Sequence, residues 1–216
     1  MLFRSREATA ALVAIGVIGV VAIGYWGWRE HVQTRAHGLL ADAVAVQGAR
    51  VGPPAATGAG GTPSFATERE RSTAALTKFK AAADAYPSTD AGLFARYQEG
   101  STLVTLGRAP EAATAYQQVI DRAAGGLYGQ MARLGLAEAQ ARAGQYDQAI
   151  TAFKELAQRK DGPLPVDGIL MQLGRTYRDA GKRSDAQQTF NRLVEEYPES
   201  PFTGEAKREL DSLKKT

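Results

Sequence analysis

Apolar residues recur at helical spacing through most of the chain, and the pattern repeats. Between residues 93 and 198, three successive segments each contain a helical apolar stripe, a glycine and a second amphipathic stripe. Equivalent residues are 37 positions apart in three sets: Gly107, Gly144 and Gly181; Ala112, Ala149 and Ala186; Tyr116, Phe153 and Phe190. A register kept through three units predicts a stack of helix–turn–helix units.

Each glycine marks the predicted end of a first helix, because the residue after a helix often adopts a left-handed conformation that a Cβ penalises. Asp147 and Ser184 lie three residues after a glycine and are predicted to be the N-caps of second helices. Ser200 is the candidate N-cap of a last helix. The alanines are expected where two helices approach closely, and the aromatic residues between neighbouring units.

The N-terminal pattern is different. Residues 8–28, "ATAALVAIGVIGVVAIGYWGW", carry no charge and have the length of a transmembrane helix. The alternative is a cleaved signal peptide. The apolar core of a signal peptide is typically about 7–15 residues long and ends in small residues. The run in this chain is longer and ends in bulky aromatic residues, among them Trp26 and Trp28. The net basic head favours an N-terminus inside. These features predict a single-pass protein of the bacterial inner membrane with a periplasmic C-terminal domain.

The expected division of the chain follows from these patterns. A short cytoplasmic head, residues 1–7, precedes the transmembrane helix, residues 8–28. Residues 29–51 continue as the first helix of an interrupted repeat, whose second helix carries Ala75 and Phe79 in register with later units. A Gly/Pro-rich loop, residues 52–65, joins the two helices. The repeats occupy residues 66–199, and residues 200–216 form a capping helix.

Composition argues against several functions. The chain has no cysteine, and its two histidines lie at 31 and 37, so the repeats cannot supply a histidine-based catalytic triad or zinc site. The net charge of +3 arises from interleaved charges, which does not suit nucleic-acid binding. Gly181-Lys182-Arg183-Ser184 lacks the spacing and the preceding strand of a phosphate-binding loop. We therefore expect no enzyme activity, cofactor, metal, nucleic acid or small-molecule substrate.

The repeats resemble those of the tetratricopeptide (TPR) family, which has small residues at its eighth and twentieth positions and an aromatic residue at its twenty-fourth. Gly100, Ala137 and Gly174 match the eighth position. The 37-residue unit is longer than the family's 34 or so, and the aromatic fourth position is replaced by Arg96, Arg133 and Leu170. The resemblance implies an all-α protein: a transmembrane helix and then a TPR-like solenoid of about three and a half repeats with a capping helix.

In this family the first helices of the units line a partner-binding groove. The resemblance assigns the following residues to it: Phe94, Tyr97, Met131, Leu134, Glu138, Arg142, Met171, Arg175 and Arg178. The alternative is that Met131 and Leu134 belong to the core. The subclass that clamps C-terminal carboxylates carries Lys and Asn where this chain has Tyr97 and Ser101 in its first unit, so that particular function is not implied.

The layout of one anchor and a few repeats is similar to that of the ancillary TPR subunit of the bacterial Sec translocon. It implies protein partners, either membrane-complex subunits or exported clients, and bilayer contact through residues 8–28. One hypothesis is an accessory, assembly or chaperone-like factor for membrane or envelope proteins. The other is a structural subunit that scaffolds a larger membrane complex.

Overall fold

The computed structural model describes residues 2–52, 64–123, 125–159 and 162–215, and side-chain surroundings for residues 16–214 within those ranges. The described chain is helical apart from one pair of two-residue strands. In order, the elements are α1 Leu2–Gln47, β1 Arg50–Val51, β2 Ser64–Phe65, α2 Glu68–Ala85, α3 Asp90–Thr105, α4 Ala109–Ala123, α5 Leu127–Arg142, α6 Tyr146–Ala157, α7 Val166–Asp179, α8 Arg183–Glu196 and α9 Thr203–Lys215.

The helices pack in sequence as a solenoid of hairpins. Each helix contacts the next along the chain, and the first helices of successive hairpins also meet: α1 with α3, α3 with α5 and α5 with α7. The hairpins are therefore α1–α2, α3–α4, α5–α6 and α7–α8, and α9 packs on α8. The surface formed by α3, α5 and α7, here named the first-helix face, is the one to which the resemblance assigns a groove.

The three turn glycines have the predicted left-handed backbone, with φ of +77° at Gly107, +78° at Gly144 and +73° at Gly181. Each turn satisfies the helix's last carbonyl groups in the same way. After α3, for example, the Arg108 N–H donates to the Leu103 carbonyl at 2.8 Å and the Gly107 N–H donates to the Val104 carbonyl at 3.0 Å. This is the Schellman pattern, and it recurs after α5 and α7.

The same turns show why the predicted N-caps are wrong. The N-cap residues are Gln145 for α6 and Lys182 for α8, so Asp147 and Ser184 lie inside the first turns. The residue that follows the glycine both closes the first helix and begins the second, which leaves no room for a separate cap. Ser200 precedes the start of α9 by three residues and instead donates to the Asp167 carboxylate at 2.6 Å.

The core follows the repeated alanines and aromatic residues. Ala112, Ala149 and Ala186 are fully buried, and so is Phe190. A Cβ built on Gly174 would lie 2.4 Å from the Phe190 ring, and one on Gly135 would lie 2.5 Å from the Tyr116 ring. Helices approach closely enough to leave no space for side chains at these points, as the small residues of the repeat predict.

The first helix does not support the predicted membrane anchor. Of the predicted span 8–28, the side chains of residues 8–15 lie outside those described, and residues 16–28 make roughly 20 Å of helix before Arg29 and Glu30. Across the described residues, the structure contains no helix with both the length and the apolar character needed to cross a bilayer. This finding contradicts the single-pass inner-membrane location with a periplasmic domain, and lipid contact through residues 8–28 has no support.

The C-terminal part of α1 packs on the solenoid. In the preceding part of the same helix, the apolar side chains from Val17 to Trp28 are exposed. Ala36 and Ala43 are buried, and Ala43 joins a cluster that contains Ala75 and Phe79 of α2. After α1 ends, β1 pairs in parallel with β2, which brings Val51 beside Phe65. Most of the predicted loop, residues 53–63, lies outside the described residues.

Candidate binding surface on the first helices

The groove residues assigned by the resemblance all lie on α3, α5 and α7, but the structure does not expose all of them. Met171 is 1% exposed and belongs to the core cluster that contains Phe153 and Phe190, so its assignment to an accessible groove is corrected. Leu134 is half-buried and packs against that cluster. Met131 is half-buried as well. The other predicted groove residues are likewise half-buried, except Arg142, which is exposed.

Aromatic rings gather at the α3–α5 end of the first-helix face. The Phe94 ring centroid lies 6.4 Å from that of Tyr97 and 6.0 Å from that of Tyr128. Tyr97 in turn lies 5.6 Å from Tyr116, which reaches in from α4. Phe94, Tyr97 and Tyr128 are only half-buried, and we name these three the aromatic cluster. Sequence reasoning missed Tyr128, although it stands three residues before Met131 and therefore on the same face of α5.

Glu138 lies next to this cluster on α5. It is half-buried, and its burial raises the pKa of its carboxyl, while the charge of Arg142 opposes the rise. The Glu138 charge also acts on the tyrosines. The pKa of Tyr97 is raised by burial and then by Glu138. The pKa of Tyr116 is raised by burial, with smaller contributions from Tyr97 and Glu138, against a hydrogen bond with Ser101.

A cavity of about 270 Å³ separates α5 from α7. It brings together three of the predicted groove residues, Glu138, Arg142 and Arg175. Its floor includes the buried Phe153 and Thr176. The rest of its lining is Ala141, Gln172 and Asp179. The cavity and the aromatic cluster both border α5, where Glu138 stands about three turns from Tyr128.

The arginines of α7 are held by the C-terminal helix. Arg175 pairs with Glu205, and Arg178 donates to Glu209 at 2.6 Å and to Asp179 at 2.8 Å. The hydrogen bond to Glu209 raises the pKa of Arg178. Sequence reasoning missed these pairs. The available signal was the four-residue spacing of Glu205 and Glu209, which places two carboxylates on one face of α9.

A second polar cavity, of about 370 Å³, lies between α2, α3 and α4. There Arg96 pairs with Asp84 and, at 2.6 Å, with Glu99. Burial raises the pKa of Glu99, although Arg96 opposes the rise. These three charged groups pair with one another, so the residues that line this cavity form an internal ion-pair network. Within the described ranges, no group of three or more His, Cys, Asp or Glu residues is placed to hold a metal ion.

Residues 97–163 and residues 169–200 each match a family described as tetratricopeptide repeat. Both segments are tetratricopeptide repeats. They include α4, α5, α6 and α8, parts of α3 and α7, and the turns at Gly107, Gly144 and Gly181. No curated protein matches the chain in sequence. The layout resemblance to the Sec-translocon subunit receives no support from these comparisons.

Solved structures share the fold at low sequence identity. Repeats from Podosopora anserina, described as kinesin light chain TPR-like repeats, are 13% identical with a TM-score of 0.63, over 84% of this chain and 85% of that chain. YrrB, described as a TPR protein with an unusual peptide-binding site, is 20% identical with a TM-score of 0.52, over 65% and 68%. A tetratricopeptide repeat protein from Parabacteroides merdae is 16% identical with a TM-score of 0.53, over 68% and 55%. The chain is therefore an all-α, TPR-like helical solenoid.

Proposed function

We propose that this chain is a non-enzymatic protein–protein interaction module that binds a segment of a partner protein on its first-helix face. The TPR repeats support this function, since such repeats serve as interaction scaffolds. The similar protein YrrB is described as having a peptide-binding site, which adds support for a peptide segment as the ligand. In the cell the module would act as an accessory or assembly factor that holds part of its partner.

The aromatic cluster is the observation that carries the proposal. Phe94, Tyr97 and Tyr128 keep part of their ring surface in water although they touch one another across α3 and α5. Aromatic residues are enriched at protein interfaces and among the residues that dominate binding energy. The rings also brace α3 against α5. That packing role accounts for their contacts with one another, and a bound apolar side chain would cover the surface that remains exposed.

Selection from a library of random short peptides tests this proposal. The full chain is immobilised, and the affinities of enriched peptides are measured by fluorescence anisotropy. We expect Phe94→Ala with Tyr128→Ala to weaken binding at least about tenfold, the equivalent of about 1.4 kcal/mol. Tyr146→Ala is the matched control, because Tyr146 is a half-buried tyrosine on the second helix α6. Circular dichroism melting shows that each variant is folded.

Two results would contradict the proposal. One is that no peptide is enriched over a surface without protein. The other is that folded Phe94→Ala/Tyr128→Ala protein binds the enriched peptides as tightly as the Tyr146→Ala control does.

A further inference from the structure

Glu138 lies between packed helices but, unlike several acidic residues in similar positions, it does not pair with an arginine. Asp84, Glu99, Glu205 and Glu209 each pair with an arginine. Glu138 is half-buried, yet among the described residues its carboxylate has neither a hydrogen bond nor an ion pair. Arg142, one helical turn away, is exposed and influences Glu138 only through its charge at longer range.

A half-buried carboxylate without a donor is unfavourable, because it loses hydration and gains no hydrogen bond in return. The rise in its pKa reports the same imbalance. The solenoid could relieve it with a cation of its own, and the nearest candidate across the cavity is Arg175. That guanidinium, however, already pairs with Glu205 of α9. Because no cation of the described chain pairs with Glu138 in the structure, its carboxylate is available to a cation from a partner.

The surroundings of Glu138 suit a long cationic side chain. The cavity beside it has a volume of about 270 Å³ and is lined by residues of α5, α6 and α7. On the α3 side, Tyr97 is close enough for the Glu138 charge to raise its pKa, and aromatic rings attract ammonium and guanidinium groups. Tyr97 belongs to the aromatic cluster, so a segment that places an apolar side chain on the cluster can place a neighbouring side chain over Glu138.

We propose that the partner segment carries a lysine or arginine whose cation pairs with the Glu138 carboxylate, beside an apolar side chain that packs on the aromatic cluster. This inference rests on the proposed peptide-binding function and specifies the chemistry of the partner. The segment is thus basic and apolar, and it is recognised by a side-chain cation rather than by a C-terminal carboxylate.

The test uses the peptides that the full chain enriches from the random library. We expect them to contain lysine or arginine beside an apolar residue. Replacing that basic residue with glutamine should weaken binding to the unmodified chain about tenfold, or about 1.4 kcal/mol. Binding to Glu138→Gln should change by less than about twofold. This double-mutant cycle isolates the pair from the general effect of either change.

Charge reversal sharpens the test. Glu138→Lys should bind a peptide with glutamate in place of the basic residue more tightly than it binds the original peptide. Glu155→Lys is the matched control, since Glu155 is an exposed glutamate on the second helix α6, and it should keep the original preference.

The outcomes separate this inference from the proposed function. Enriched peptides that depend on Phe94 and Tyr128 but show no basic preference, or a preference that survives Glu138→Gln, would overturn the inference and leave the binding function standing. Absence of any enriched peptide would overturn both.

Discussion

At the scale of single residues, Glu138 links stability to pH. Burial raises the pKa of its carboxyl in the folded protein, so the folded state holds this proton more tightly than the unfolded state does. The stabilising effect of the proton is complete below the unfolded pKa and is lost as pH rises through the folded pKa. Above that range the ionised Glu138 opposes folding. The groups that face it are Tyr97 of α3, Tyr116 of α4, Arg142 of α5, and Arg175 and Asp179 of α7.

Glu138→Gln should therefore stabilise the free protein at neutral pH. We expect its Tm to rise by about 2 °C, a shift that about 1 kcal/mol gives in a chain of this size. The difference should shrink as pH falls toward the ordinary carboxyl range, where the unmodified residue is protonated as well. Melting curves across that range check the prediction, with Glu155→Gln on the exposed face of α6 as control. A variant that is less stable at neutral pH would show that Glu138 has a favourable partner in the free protein.

At the scale of helices, the close approach of α7 to α8 depends on a glycine at the contact. Gly174 has no room for a Cβ, which would lie 2.4 Å from the Phe190 ring. Gly168, also on α7, offers a contrast: a Cβ there would meet Phe202 at 3.5 Å, an ordinary contact. The same substitution is therefore expected to have opposite effects at two sites on one helix.

Gly174→Ala should destabilise the protein by about 1–3 kcal/mol, because Phe190 must shift in a close-packed core. Gly168→Ala should be neutral or stabilise by up to about 1 kcal/mol, since alanine favours a helix more than glycine does. Urea unfolding of the two variants measures both free energies. Equal effects at the two sites would mean that the α7–α8 contact adjusts more easily than the structure implies.

Some features of the helices and turns could be predicted from the sequence, and others could not. Gly107, Gly144 and Gly181 were predictable because a left-handed turn is a local requirement, and its 37-residue recurrence excludes coincidence. The N-caps were misplaced by two residues because the turn uses one residue for two helix ends. The burial of Met171 depends on how far α7 is rotated against α8, and a repeat register does not determine that rotation.

Other features depend on tertiary placement alone. The pairing of Arg175 with Glu205 requires α9 to lie against α7 and α8. The spacing of Glu205 and Glu209 places two carboxylates on one face of α9, but it does not indicate which helix that face meets. Tyr116 contributes to the candidate surface from a second helix, because its ring passes between Gly100 and Gly135 on α3 and α5.

The apolar run of residues 8–28 predicted a bilayer span, which the described helices contradict.

At the scale of the whole molecule, the core is divided along the solenoid. Among the described residues, the buried ones form three clusters: one between α1, α2 and α3, one centred on α3, α4 and α5, and one that extends from α5 to α9. Each helix contacts mainly its neighbours. In such a structure, stability is close to a sum of unit terms and nearest-neighbour interface terms. Damage to one cluster should consequently weaken its own helices most.

Leu103 and Leu193 allow this to be tested with the same substitution in two clusters. Leu193 is fully buried in the cluster that extends from α5 to α9, and Leu103, 3% exposed, lies in the cluster centred on α3, α4 and α5. Each leucine-to-alanine change should cost about 2–5 kcal/mol. Native-state hydrogen exchange should show that Leu193→Ala lowers amide protection in α7, α8 and α9 much more than in α2 and α3. The reason is that exchange in α7, α8 and α9 requires only local opening of those helices. Leu103→Ala should lower protection in α3, α4 and α5 first. If both changes reduced protection uniformly along the chain, the clusters would unfold as one cooperative unit, and the first-helix face would open only when the whole solenoid does.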